Sequence, residues 1–265
     1  CFVDHFGPTK QTDGMVVASH PHTGLQTATW LFEGEIEHRD SIGTIQNIEP
    51  GQLNLMTAGR GIAHSELALA DASTLHAVQL WIALPDSVRK MAPEFEHQSD
   101  LPKLALGEVS ATVFAGALVG HENQRAATKL FSPLVGAELR LPAGATAEVK
   151  LNPNFEHGFL AVKGQVLIDD VPVDLHNMSY HETGQDVLRL ANQGDRETIL
   201  IMLGGEPFEE PIVMWWNFIE RSHEEIVEAR QRWNDHDSGI PEFVDQIGSR
   251  TPAPELPNVT LRARL

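Results

Sequence analysis

Two short stretches, His20-Pro21-His22 and His64-Ser65-Glu66, decide how this chain is read. In each, two side chains able to bind a metal stand two residues apart. Alternate side chains of a β-strand share a face, so each pair aims both members the same way. The flanks of the first pair are strand-like. Val16-Val17-Ala18 precedes it, and Thr27-Ala28-Thr29-Trp30-Leu31-Phe32 follows, rich in β-branched and aromatic residues. If the two strands face each other inside a barrel, three imidazoles and one carboxylate converge. That set suits a divalent first-row metal, because imidazole is a borderline ligand and the carboxylate adds one negative charge. His20, His22, His64 and Glu66 are therefore the candidate metal ligands.

Outward from these pairs the pattern stays β. Glu35-Ile36-Glu37-His38 alternates polar and apolar, Asp40-Ser41-Ile42-Gly43 and Pro50-Gly51 are turn sequences, and Gly59-Arg60-Gly61 allows a tight backbone ahead of His64. His38-Arg39-Asp40 reads as a solvated hairpin. His76 reads either as a donor holding a ligand imidazole or as a strand residue with a local hydrogen bond. Residues 86–105, bearing Pro, charge and Gln, read as a linker or an excursion between sheets, with His97 exposed. A second set of strands opens near Ala111-Thr112-Val113. Within it, Phe155 to Gly164 can be laid on Leu25 to Gly34, which puts Lys150 and Asn152 where His20 and His22 stand. Ammonium and amide groups are poor ligands for these metals, so the second set is expected to hold no metal there. His157, His176 and His181 are read as structural or surface residues. Ser222-His223-Glu224-Glu225 is a capping box opening the one convincing helix, with Ile226, Arg230 and Trp233 on a shared face. Residues 237–265 read as an extended, Pro-rich tail ending on the basic pair Arg262 and Arg264. Short strands at this spacing with so little helix imply an all-β barrel or sandwich.

Composition excludes several function classes. The 265 residues carry 37 acidic against 19 basic side chains, a formal net charge of −18. Phosphate contacts dominate nucleic-acid affinity, so this balance argues against direct nucleic-acid binding, and it disfavours an anionic membrane surface. No apolar run is long enough to span a bilayer. The single cysteine, Cys1, rules out a disulfide framework within the sequence and leads to the expectation of a reducing, cytoplasmic location.

The spacing of Gly14, His20-x-His22 and Glu33-Gly34 resembles the first cupin motif. Pro50-Gly51 followed by Met56-Thr57-Ala58-Gly59-Arg60-Gly61-Ile62-Ala63-His64 resembles the second. Asp4-His5-Phe6-Gly7-Pro8, His20-Pro21-His22-x-Gly24, Glu33-Gly34-x-Ile36-x-His38-Arg39-Asp40-Ser41-x-Gly43 and Met56 through Glu66 together resemble the pirin family. Gln79-Leu80-Trp81-Ile82-x-Leu84-Pro85 and Gly204-Gly205-Glu206-Pro207 extend the likeness over nearly the whole chain.

The resemblance implies a bicupin: a metal-binding barrel over 1–110, a metal-free barrel over 111–218, and a short helix with an extended tail over 219–265. It also implies that Ile212 to Phe218 packs back against the first barrel and that Asp4-His5-Phe6 lies near the metal cavity. The implied ligand set is His20, His22, His64 and Glu66, with iron as the metal and Mn, Ni, Cu and Zn as alternatives. Cupins usually place a further Glu three or four residues after the second histidine, where Gln26 and Thr27 stand, so Gln26 would remove a charge beside the metal. Bacterial pirins resemble quercetin 2,3-dioxygenases. The implied partners are an aromatic flavonol and dioxygen, with Glu66 as ligand and catalytic base, ring cleavage and release of carbon monoxide. The alternative implied by eukaryotic pirins is a non-enzymatic, metal- and redox-sensing regulator that binds a protein partner. An isomerase or hydrolase is a third reading, since cupins host many chemistries. The chain is expected to be a monomer.

Overall fold

The computed structural model describes residues 2–10, 14–69, 74–237, 239–241 and 250–263; Cys1 and Arg264 lie outside them. The chain packs as two compact units, residues 1–97 together with 208–265, and residues 98–207.

In the first unit, β1 (Phe2–Lys10), β2 (Val16–His22), β3 (Leu25–Glu33), β4 (Ile36–Asp40) and β5 (Ile45–Ile48) come first. They are followed by β6 (Leu53–Thr57), β7 (Ile62–Ala68), β8 (Thr74–Ala83) and β9 (Glu94–Gln98). One sheet has the order β1-β8-β3-β6-β9 and the other β2-β7-β4-β5. The pairings among β1 to β8 for which a register is resolved are antiparallel. β3 is buried from Leu25 to Phe32, a run that is apolar or threonine apart from Gln26, as suits a central strand. Leu31 and Ala77 of the larger sheet share a core with Ile36, Ile48 and Ala68 of the smaller. The two sheets therefore pack face to face.

The second unit repeats the plan. Its strands are β10 (Lys103–Leu106), β11 (Val109–Ala115), β12 (Leu134–Leu141), β13 (Thr146–Lys150) and β14 (Glu156–Lys163), then β15 (Val166–Ile168), β16 (Val171–Val173), β17 (Met178–His181), β18 (Val187–Ala191) and β19 (Thr198–Gly205). They form sheets of order β10-β11-β12-β19-β14-β17 and β13-β18-β15-β16. Phe159, Leu139 and Leu200, which share one face of the larger sheet, are fully buried, as is Leu190 of the smaller sheet. This is the all-β architecture that the short alternating strands implied, in the bicupin arrangement implied by the family resemblance.

The C-terminal segment returns to the first unit. The hairpin β20 (Val213–Trp215) and β21 (Phe218–Glu220) meets the turn after β2, where Phe218 bridges Thr23 and the Ile219 amide donates to the Thr23 carbonyl at 3.1 Å. Gly24 sits at φ +70°, and a Cβ there would collide with the Ile219 carbonyl, so glycine alone permits this approach. α1 (His223–Asn234) begins at the N-cap Ser222, whose hydroxyl accepts from the Glu225 amide. The Glu225 carboxylate reaches back one residue beyond the cap, to the Arg221 amide at 2.9 Å. Arg89 joins this segment to the sheet, with Nη1 2.7 Å from Glu220 and Nη2 2.9 Å from Glu225. Trp215 and Trp216 pack with Phe218, Ile226 and Trp233. The tail is held in turn: Trp233 donates to the Thr251 carbonyl at 2.9 Å, and the Thr251 amide donates to the Ser19 carbonyl at 2.7 Å. Among the described residues, no helix is long and apolar enough to cross a membrane.

Candidate metal centre

The register of the smaller sheet builds the site. Antiparallel pairing sets His20 opposite His64 and Val17 opposite Glu66, with a bulge between Val17 and His20. On the other side of β7, His38 lies opposite Glu66 and Asp40 opposite His64. Directly paired residues share a face, and so do residues two apart on one strand. His20, His22, His64, Glu66, His38 and Asp40 consequently face one way. Gly61, at φ +144°, turns the chain into β7, and a Cβ there would meet Ile240 of the tail at 2.8 Å.

The three histidines of the expected set come together. Ligand nitrogens of His20, His22 and His64 all lie within 4.8 Å of one another. His22 Nε2 and His64 Nε2 are 3.1 Å apart. Two ligands at right angles on bonds of roughly 2.1 Å stand about 3.0 Å apart, so this approach has the spacing of neighbouring ligands on one ion. Burial, and then the neighbouring imidazoles, hold His22 and His64 well below the usual 6.5. His20 is lowered as well by burial, although its Nδ1, 2.9 Å from the Ala18 carbonyl, opposes this. Neutral imidazole is the ligating form, and a bond from Nδ1–H to a carbonyl leaves Nε2 as the free donor of His20. The donor set therefore fits a divalent metal.

Glu66 stands slightly apart. Its carboxylate groups with His64 and His38 within 4.8 Å, not with His20 and His22. Gln79 Nε2 donates to both Glu66 oxygens at 3.1 and 3.2 Å, and the Thr29 hydroxyl to Oε1 at 3.5 Å. Burial raises the Glu66 pKa, against the opposing effects of His38, Gln79 and Thr29. Behind His64 runs a polar chain: His64 Nδ1 to His38 Nδ1 at 3.4 Å, and His38 Nε2 to Asp40 Oδ2 at 3.2 Å. Asp40 is fixed by the Ile42 and Thr44 amides at 3.0 and 2.9 Å. Burial alone would raise its pKa, but His38 and Thr44 bring it below the usual value.

Some sequence expectations need correction. His38-Arg39-Asp40 does belong to a hairpin, β4 with β5, but only Arg39 is partly solvated: His38 and Asp40 are each 3% exposed and support the site from within. The overlooked signal is parity, since His38 shares its face with the buried Ile36. Gln26 is not beside the site. It lies three residues from Thr29, hence on the opposite face of β3, and its amide donates to Thr57 Oγ1 at 2.9 Å. Thr27 is the residue that shares the face of Thr29. His97 is half-buried, with Nδ1 2.8 Å from Asn54 Oδ1. His76 contacts His5 at 2.7 Å between Nε2 atoms, and Phe6 packs into the core beside Leu31 and Ile36. Gln79 stands in the family-like stretch Gln79 to Pro85, but no sequence pattern assigned it a role at the site; it reaches Glu66 because β8 pairs with β3 and sets Gln79 opposite Thr29.

A buried cluster of imidazoles on the inner face of a two-sheet β unit, repeated once in the chain, defines a cupin-type protein. The family profile described as pirin matches residues 1–82, and that of the pirin C-terminal cupin domain matches residues 136–239. A Pseudomonas aeruginosa protein provisionally named quercetin 2,3-dioxygenase is 43% identical over 97% of this chain and 81% of its own length. Mouse pirin is 29% identical over 79% of this chain and 73% of its own. The crystal structure of a quercetin 2,3-dioxygenase from Acinetobacter baumannii superposes with a TM-score of 0.93 at 40% identity, covering 99% of this chain and 87% of the other. The chain belongs to the pirin family.

Proposed function

We propose that the chain is a metal-dependent dioxygenase that opens the ring of a flavonol such as quercetin. Iron(II) would be held by His20, His22, His64 and Glu66. The observation that carries the metal reading is the 3.1 Å approach of two buried, neutral imidazoles with a third beside them. The substrate class follows from the names of the Pseudomonas and Acinetobacter proteins.

Such an ion supplies a Lewis-acid site for an enolic hydroxyl and a redox partner for dioxygen. The chain's own residues do the rest. Glu66, raised by burial, takes the hydroxyl proton onto a carboxylate oxygen, and Gln79 fixes the orientation of that carboxylate. Asp40 and His38 hold the ring of His64 from behind. Trp81 stands edge-to-face with His22 at 5.1 Å and tilted against Phe2 at 4.5 Å, an aromatic wall suited to a planar substrate.

The test is oxygen uptake with quercetin, using protein reconstituted separately with Fe, Mn, Ni, Cu and Zn. The proposal expects metal-dependent uptake that is greatest with iron and lost in Glu66→Gln. Stoichiometric metal binding without uptake for any of the five ions would refute the oxygenase reading for this substrate.

A further inference from the structure

The second unit contains a cavity of about 190 Å³. An apolar cavity of about 150 Å³ accommodates benzene, so this volume suits a small organic molecule and not a flavonol. Its walls include Leu118, Phe155 and Met202, all buried. One polar side chain reaches the cavity from within the fold. His157 is 2% exposed, and neither ring nitrogen makes a hydrogen bond of ordinary geometry; the Phe155 backbone offers only a looser polar contact. Both nitrogens are themselves covered, so the imidazole forms part of the cavity wall and presents no open donor or acceptor to it.

The mouth is charged. Lys150 and Arg125 line it together with Glu122, and all three are exposed. Glu122 already accepts a hydrogen bond from the Gly120 amide at 2.8 Å and has its pKa lowered chiefly by backbone bonds, with a further contribution from Lys150. Two cations therefore face one partly committed carboxylate, in a chain whose formal charge is −18. Lys150 and Asn152 both line the cavity. In the internal repeat these two residues take the places of His20 and His22, so the chemistry at this end of the second barrel has changed from imidazole to ammonium and amide.

We propose that this cavity binds a small aromatic monocarboxylate of benzoate size. The ring lies among Leu118, Phe155 and Met202 with the imidazole of His157 as part of the wall, and the carboxylate meets Lys150 and Arg125 at the mouth. An aromatic body fits the apolar walls, and the paired cations select the anion. This site is independent of the metal-centre reading, and no step of the oxygenase proposal passes through it.

Calorimetric titration of the full chain with sodium benzoate tests the proposal, with benzamide as the neutral comparator. The expected result is one-site binding of benzoate, unchanged when the protein is stripped of metal by a chelator. Lys150→Glu and Arg125→Glu should each weaken binding about tenfold or more, as should replacing benzoate by benzamide. The proposal is overturned if benzoate shows no saturable binding below about 10 mM. It is equally overturned if binding survives both charge reversals or disappears on metal removal.

Discussion

Replacing Gln79 by leucine isolates the support beneath the proposed carboxylate ligand. Glu66 is 6% exposed, and Gln79 Nε2 donates to its two oxygens at 3.1 and 3.2 Å. The Thr29 hydroxyl contact, at 3.5 Å, is at the limit of a hydrogen bond. A hydrogen bond to a charged group contributes about 1.5–3 kcal/mol, and about 1.4 kcal/mol corresponds to a factor of ten in binding. Losing it should therefore weaken metal binding roughly 10- to 100-fold, in line with the usual effect of removing a group that orients a ligand. Leucine retains the apolar bulk of the glutamine stem, so the fold should survive. The assay is competition for iron(II) against a chelator of known affinity, with Thr29→Val as the comparison, expected to change affinity by less than about threefold. Unchanged affinity in Gln79→Leu would refute the claim that Gln79 holds Glu66 for the ion. A larger loss in Thr29→Val than in Gln79→Leu would contradict the ranking drawn from the distances.

His38→Phe keeps the stack on Phe95, whose ring centroid is 4.6 Å away, but removes the link from Asp40 to His64. It should weaken metal binding about tenfold by chelator competition and, because the buried Asp40 loses a partner, also lower the melting temperature at pH 7. Glu225 gives a pH signature far from the metal. Burial would raise its pKa, but the bonds from Arg89 and the Arg221 amide lower it on balance. A folded value below the unfolded one means that the stabilisation is present above about 4.5 and is lost as pH falls through the folded value. Glu225→Gln should accordingly lower the melting temperature by about 2–4 °C at pH 7, with the difference from the parent protein shrinking below pH 4.5.

The sequence was most legible where chemistry and strand period coincide. His20, His22 and His64 were readable because an i, i+2 pair on a strand can only share a face, and the register of β2 against β7 then brings the three together. His38 was misread because a charged tripeptide between turn formers resembles a solvated hairpin; its burial depends on β4 lying between β5 and β7. Gln26 was placed beside the metal by counting from His22, whereas the face it occupies is set by its pairing with Thr57. Gln79 and the tail contact of Thr251 with Ser19 depend on residues far apart in sequence, which no local pattern encodes. The same holds for the burial of His157, which required the second unit's packing to become visible.

The most direct measurement of the central claim is iron stoichiometry together with iron-edge X-ray absorption on the iron(II)-loaded protein and on His64→Ala. The account predicts one ion per chain with a three-imidazole coordination shell, and loss of that ion in the variant. An iron-free parent protein, or full iron with an unchanged imidazole shell in His64→Ala, would contradict it.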